Sequence, residues 1–228
     1  MNVLIFGATG MVGRGALREA LLDPGVERVV TVGRRATGQQ DPKLKELVVP
    51  EVADLSSIEG ELTGLDACLF CLGVSSVGMN EEKYTRLTYD LTLAAANTLA
   101  RLNPGMTFAY VSGAGTDSTE QGRTMWARVK GRTENALLKL SFKAAYMFRP
   151  GMIVPLHDIT PAAPWVRRTY FVLKPVLSLF RRLFPNQVTT TELLGRAMLN
   201  VARDGYPKPV LETEDIEKAA HSGGDDGR

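Results

Sequence analysis

The stretch NVLIFGATGMVG, residues 2–13, limits the fold more than any other part of the chain. A short apolar run hands over to a helical pattern through three glycines, Gly7, Gly10 and Gly13, each three positions from the next. Glycines at such a handover have separate tasks. The first allows a tight turn, the second lets backbone approach a pyrophosphate, and the third lets the helix pack closely on the sheet. An anion then rests on the free N–H groups at the helix start. That reading assigns Gly7, Ala8, Thr9, Gly10, Met11, Val12 and Gly13 to a dinucleotide cradle. The plainer alternative is a glycine-rich connection without a ligand, and the apolar run before it with the helical pattern behind it weighs against that.

The same alternation continues along the chain. RVVTV, ELVVP, DACLFCL, MTFAYVS and AAYMF are short apolar runs, and residues 11–22, 81–102 and 123–140 have helical patterns between them. Apolar runs of this length read as strands buried on both faces, so the expected fold is α/β, a doubly wound parallel sheet of Rossmann type. After Pro150 the pattern loosens into a proline-rich stretch, a basic amphipathic segment at 165–184, a helix from Thr191 to Arg203 and a short strand KPVLE. The expected organisation is a dinucleotide domain over 1–150, a small substrate-side or lid region over 151–214, and a disordered tail over 215–228 that ends HSGGDDGR.

Composition narrows the classes of function. The 27 basic and 25 acidic residues balance to +2, which gives no reason to expect a nucleic-acid partner. Cys68 and Cys71 fall on one expected strand with their side chains to opposite faces, so they read as core thiols. Two histidines far from them do not complete a metal site. The chain enters its first strand at once, and no apolar run reaches the length of about 18 residues that a membrane span needs. A soluble protein of the reducing cytoplasm is the expectation.

The second strand ends TVGRR, with no acidic residue before Asp41. An acidic residue near this point holds the ribose 2′-hydroxyl of NAD, and an arginine accommodates the 2′-phosphate of NADP. Arg34 and Arg35 therefore favour NADP(H), with NAD(H) as the other possibility and solvated loop charges as the plainer reading.

Several motifs together carry a resemblance: GATGMVG, GRR at 33–35, ADL at 53–55, CLG at 71–73, VSGAGTD at 111–117, VKG with Lys130, FRPG at 148–151 and TELLGRAM at 191–198. They run in order over most of the chain. In them it resembles the atypical short-chain dehydrogenase/reductases of the NAD-dependent epimerase/dehydratase-like group, most closely the oxidoreductases that look like the Tat-interacting protein. The resemblance implies that Asp54 and Leu55 border the adenine, that Cys71, Leu72 and Gly73 pass beneath the riboses, and that Pro150 and Gly151 line the nicotinamide. It also gives Lys130 a hydrogen bond to the nicotinamide ribose. Read without it, Asp54 is a helix N-cap, Cys71 a core residue, Pro150 and Gly151 a strand exit, and Lys130 an exposed helix lysine.

Members of this family that exchange hydride use Tyr-x-x-x-Lys on a helix together with a serine from the adjacent strand end. A spacing of four puts both side chains on one helical face, so the lysine charge can lower the tyrosine pKa. Here WARVK places Trp126 where the tyrosine would stand, four residues before Lys130. An indole N–H donates a hydrogen bond but does not cycle a proton near neutral pH. Ser112 is either the substrate-side hydroxyl or the end of its strand, and Gly113 follows where the family often has a second serine. Tyr84 and Tyr89 are candidate substitute donors, of which at most one points inward. The leading expectation is an oxidoreductase acting on an unidentified small carbonyl or hydroxyl compound, with Lys130 and Ser112 as its catalytic residues. The alternative is a regulator or interaction protein that senses NADP(H). The segment at 165–184 reads as a lid or an oligomer contact ahead of a membrane-surface contact.

Overall fold

The computed structural model describes residues 1–157 and 188–222. Strand β1 (Asn2–Phe6) leads through the glycine turn into helix α1 (Met11–Leu22), and β2 (Arg28–Gly33) and β3 (Leu44–Val48) follow. A 3-10 turn (Ser56–Glu61) precedes β4 (Ala67–Phe70). Helix α2 (Glu81–Thr85), a π-helical segment (Arg86–Asp90) and α3 (Leu91–Leu102) form one unbroken rod. Next come β5 (Thr107–Val111), α4 (Met125–Leu137), β6 (Ala144–Arg149) and β7 (Met152–Val154). Strand β8 (Val188–Thr190), helix α5 (Thr191–Asp204), β9 (Val210–Glu212) and α6 (Thr213–His221) complete the described chain.

Seven strands make one sheet in the order β3-β2-β1-β4-β5-β6-β9, every neighbouring pair parallel. Strands β7 and β8 form a separate parallel pair. The apolar runs have the cause the sequence implied, since both faces of the sheet are covered. Val3 and Ile5 enter a core with residues of α1, α5 and α6, while Leu4 and Phe6 enter a second core with residues of α3 and α4. Cys68 and Cys71 divide in the same way between the two cores, and both are free thiols. An aromatic row crosses the strands on the α3/α4 side, with Phe6–Phe70 ring centroids 5.1 Å apart and Phe70–Phe108 5.7 Å apart.

Three expectations change. The third strand lies earlier than ELVVP: it begins at Leu44, paired with Val29, and ends at Val48, paired with Gly33, the last residue of β2. Residues 215–221, expected in a disordered tail, belong to α6. Ile216, Ala219 and Ala220 form its buried stripe, and Glu212 and Asp215 cap it reciprocally through each other's backbone N–H. The region expected to stand apart after residue 150 also contributes to the main body: β9 extends the central sheet beside β6, and α5 packs on α1. There the buried Glu19 carboxylate of α1 accepts from Arg196 of α5 at 3.0 Å. The basic segment at 165–184 lies outside the described residues.

Candidate dinucleotide site

Strand order reverses at β1 and β4, and in open parallel sheets the crevice beyond the strand ends at that point is where ligands bind. Gly7 follows β1 there with φ of +77°, and a Cβ on it would stand 2.9 Å from the Cys71 carbonyl at the end of β4. Only glycine satisfies both demands. Gly10 caps α1, its N–H donating to the Gly7 carbonyl at 2.8 Å. A Cβ on Gly13 would lie 2.0 Å from the Gly7 oxygen, so the first turn of α1 rests directly on the glycine turn. No side chain caps α1, and no acidic residue stands in its first turn. Its leading N–H groups, including those of Met11 and Val12, are thus left for an anion.

A cleft of about 470 Å³ opens beside this turn, bounded by Gly7, Ala8 and Thr9 on one side and by the end of β2 on the other. Arg34 and Arg35 line it. Arg14, which the sequence reading passed over, joins them from the first turn of α1. Its signal was its place directly after Gly13, on the helix that follows the glycine turn. No acidic residue lines this cleft among the described residues. Uncapped amides, a turn that admits no side chain and three guanidiniums suit a phosphorylated dinucleotide.

Asp54 and Leu55, expected at the adenine, do not line this cleft. The Asp54 carboxylate is exposed and accepts from the Ser56 N–H at 3.0 Å, and the Ser56 hydroxyl together with that N–H holds its pKa below the usual carboxylate range. Leu55 is buried in the α3/α4-side core. Val52 is the residue of this stretch that reaches the cleft. From the end of β4, Leu72 lines the cleft, and Gly73 is exposed with open space around its Cα. The Cys71 N–H donates to the Phe6 carbonyl at 3.0 Å, and burial pushes its thiol pKa up to about 12, which leaves it an inert core group.

The second half of the site hangs on α4. Trp126 and Lys130 lie one turn apart on this helix, with Glu134 a further turn on. Lys130 Nζ donates to the Ser112 carbonyl, and burial pulls its pKa down from 10.5 to about 8 against the opposing pull of Glu134. The Ser112 hydroxyl does not face the cleft. Continuing the alternation of Phe108 and Tyr110, it points toward α4 and donates to Glu134 Oε1 at 2.5 Å, 5 % exposed. Gly113, with φ of +138°, leaves open the space beside Lys130, since a Cβ there would stand 3.9 Å from Nζ.

The loop from Gly113 to α4 is tightly held. The Asp117 carbonyl lies 1.8 Å from where a Gly131 Cβ would be, which explains the glycine after Lys130 in VKG. Trp126 folds back over this loop, its ring edge 3.5 Å from a Cβ built on Gly115. Pro150 accepts from the Ala114 N–H at 2.9 Å, and the Gly151 N–H donates to Thr213 Oγ1 at 2.9 Å. These two residues brace the loop and the start of α6.

The two tyrosines differ in their surroundings. Tyr84 is 2 % exposed, and burial raises its pKa. Tyr89 lies with its ring centroid 4.2 Å from the Arg132 guanidinium carbon. Among the described residues no group of three or more His, Cys, Asp or Glu is placed to hold a metal ion, and no helix is long and apolar enough to cross a membrane.

Fold and site together define a dinucleotide-binding Rossmann protein. The sequence profile described as the NAD dependent epimerase/dehydratase family matches residues 3–125, more than half of the chain. The chain belongs to this family, as an atypical short-chain dehydrogenase/reductase. Among curated proteins it is 27 % identical over 206 residues to "Protein fmp52, mitochondrial" of Emericella nidulans, covering 87 % of this chain and 86 % of the relative. It is 25 % identical over 221 residues to "Protein HTATIP2" of Rattus norvegicus, covering 89 % and 90 %. Among solved structures, a UDP-glucose 4-epimerase has a TM-score of 0.68 at 16 % identity, covering 96 % of this chain and 80 % of that one. The Bordetella bronchiseptica enzyme WbmF in complex with NAD+ has a TM-score of 0.66 at 13 % identity, covering 95 % and 76 %. These two likenesses concern the fold.

Proposed function

We propose that this protein binds NADP(H) in preference to NAD(H) and acts as a slow or specialised oxidoreductase on a small carbonyl or hydroxyl compound. The observation that carries the cofactor preference is the lining of the cleft, with Arg14, Arg34 and Arg35 and no carboxylate. A 2′-phosphate is a dianion that forked guanidiniums bind well, and a carboxylate for a bare ribose hydroxyl is missing. The uncapped start of α1 takes the pyrophosphate charge. Lys130 turns its remaining protons toward the nicotinamide ribose, Leu72 and Gly73 pass beneath the riboses, and Pro150 and Gly151 border the ring. When bound, the dinucleotide supplies hydride exchange.

Trp126 stands at the position of the usual proton donor. Losing general acid help typically costs about 10²–10⁴ in rate, so slow turnover is the expected consequence. A screen of carbonyl compounds that follows NADPH oxidation tests this, run on the wild type and on Trp126→Tyr. Turnover that rises at least about tenfold in Trp126→Tyr supports the reading. Silence in both proteins rejects it.

A second reading, an NADP(H)-responsive regulator, is favoured by one observation: the Ser112 hydroxyl is held by Glu134, so it is not offered to a substrate. Binding without turnover in that screen is its signature. The cytoplasm remains the proposed compartment, and cell fractionation tests it against the mitochondrial location in the fungal relatives' names.

A further inference from the structure

Beneath Lys130 lies a group of charges that no expected role accounts for. Glu134 is 1 % exposed, on α4, and Arg149 is 9 % exposed, at the end of β6. Arg149 grips Glu134 with two nitrogens, Nε at 3.1 and 3.2 Å from its two oxygens and Nη2 on Oε2. Its other contacts are Ser118 Oγ in the loop and Glu212 Oε1 of β9 at 3.3 Å. Glu134 Oε1 also receives the Ser112 hydroxyl at 2.5 Å. The Ser112 carbonyl is the oxygen on which Lys130 lays its ammonium.

We propose that Glu134 is a positioning residue for Lys130: from a place no ligand reaches, it anchors Ser112 from behind and so fixes the carbonyl that receives the ammonium. A buried carboxylate, a buried guanidinium and a part-buried ammonium make this arrangement stringent, because a buried charge is costly unless it is paired and hydrogen-bonded. Glu134 serves Arg149 directly and Lys130 through Ser112, one helical turn away on its own face of α4. The titratable groups around Lys130 come from each packed element. Glu134 is on its own helix, Tyr110 is on β5 with its hydroxyl near Thr133, and Arg149 is on β6 with Glu212 of β9 beyond it. Of these, Glu134 is the group whose charge acts on Lys130, and it opposes the effect of burial.

This inference rests on the reading of Lys130 as a cofactor-orienting residue, but its test does not need the cofactor. Lys130 is titrated by NMR of its Cε and Nζ in isotope-labelled, cofactor-free protein, its signal assigned by its loss in Lys130→Met. Glu134→Gln keeps the shape and removes the charge, and the Lys130 midpoint moves down by about one pH unit or more. Should that variant fail to fold, Glu134→Asp keeps a charge for Arg149 while drawing it back from Ser112, and a smaller downward movement is expected. A midpoint that stays at the wild-type value in whichever variant is folded overturns the proposal. NADPH affinity unchanged by Lys130→Met removes instead the cofactor role of Lys130 and leaves the titration result standing.

Discussion

At the scale of single residues, the position of Lys130 carries a stability cost that depends on pH. Its ammonium is buried and titrates at about 8 in the fold, against an ordinary 10.5 when the chain is unfolded. Between these values the unfolded chain holds more protons, so the Lys130 contribution to stability rises with pH across that window and is at its most unfavourable below it. Lys130→Met should therefore melt higher than the wild type at pH 7, with an advantage that fades as the pH climbs from 8 toward 10.5. Thermal melts followed by circular dichroism over a pH series check this. A variant that melts lower at every pH contradicts it. The residues the sequence did not reveal are of the same buried, charged kind. Glu134 and Arg149 read as ordinary helix and strand-end charges, because only the packing of α4 against β6 brings them together. Ser112 was identified as a position, but whether its hydroxyl met substrate or core depended on the face on which β5 ends.

At the scale of elements, the strands of the central sheet were legible wherever both faces are buried, because double burial leaves an uninterrupted apolar run such as VLIF or ACLF. Strands β7 and β8 are three residues each, too short for any periodicity to show. Helix α6 opens on acidic residues and carries only Ile216, Ala219 and Ala220 as apolar ones, and its capping box, Glu212 with Asp215, was the overlooked signal. The junction between α4 and the loop before it is the element-level feature with most at stake. Gly131→Ala forces a Cβ into the Asp117 carbonyl, and overpacking of this sort typically costs about 1–3 kcal/mol, occasionally more. The expected result in urea denaturation is a lower midpoint with an unchanged slope. A midpoint equal to the wild type's shows that the loop has room to move away.

At the scale of the whole molecule, the sheet brings the glycine turn, the arginines after β2 and the lysine of α4 to the ends of parallel strands, from segments far apart in sequence. The alternation of runs made a doubly wound parallel sheet legible, while its strand order comes from the fold. What that alternation did not reveal is that the chain after β8 returns to the main body, because β9 offers only three residues, Val210 to Glu212, to pair beside β6. The central claim, a phosphate-reading dinucleotide site, is tested most directly by calorimetric titration of the cofactor-stripped protein with NADPH and with NADH. Tighter binding of NADPH, weakened about tenfold or more by Arg34→Ala or Arg35→Ala, is the result this account predicts. Binding of neither nucleotide, or equal binding of both that is indifferent to the arginines, contradicts it.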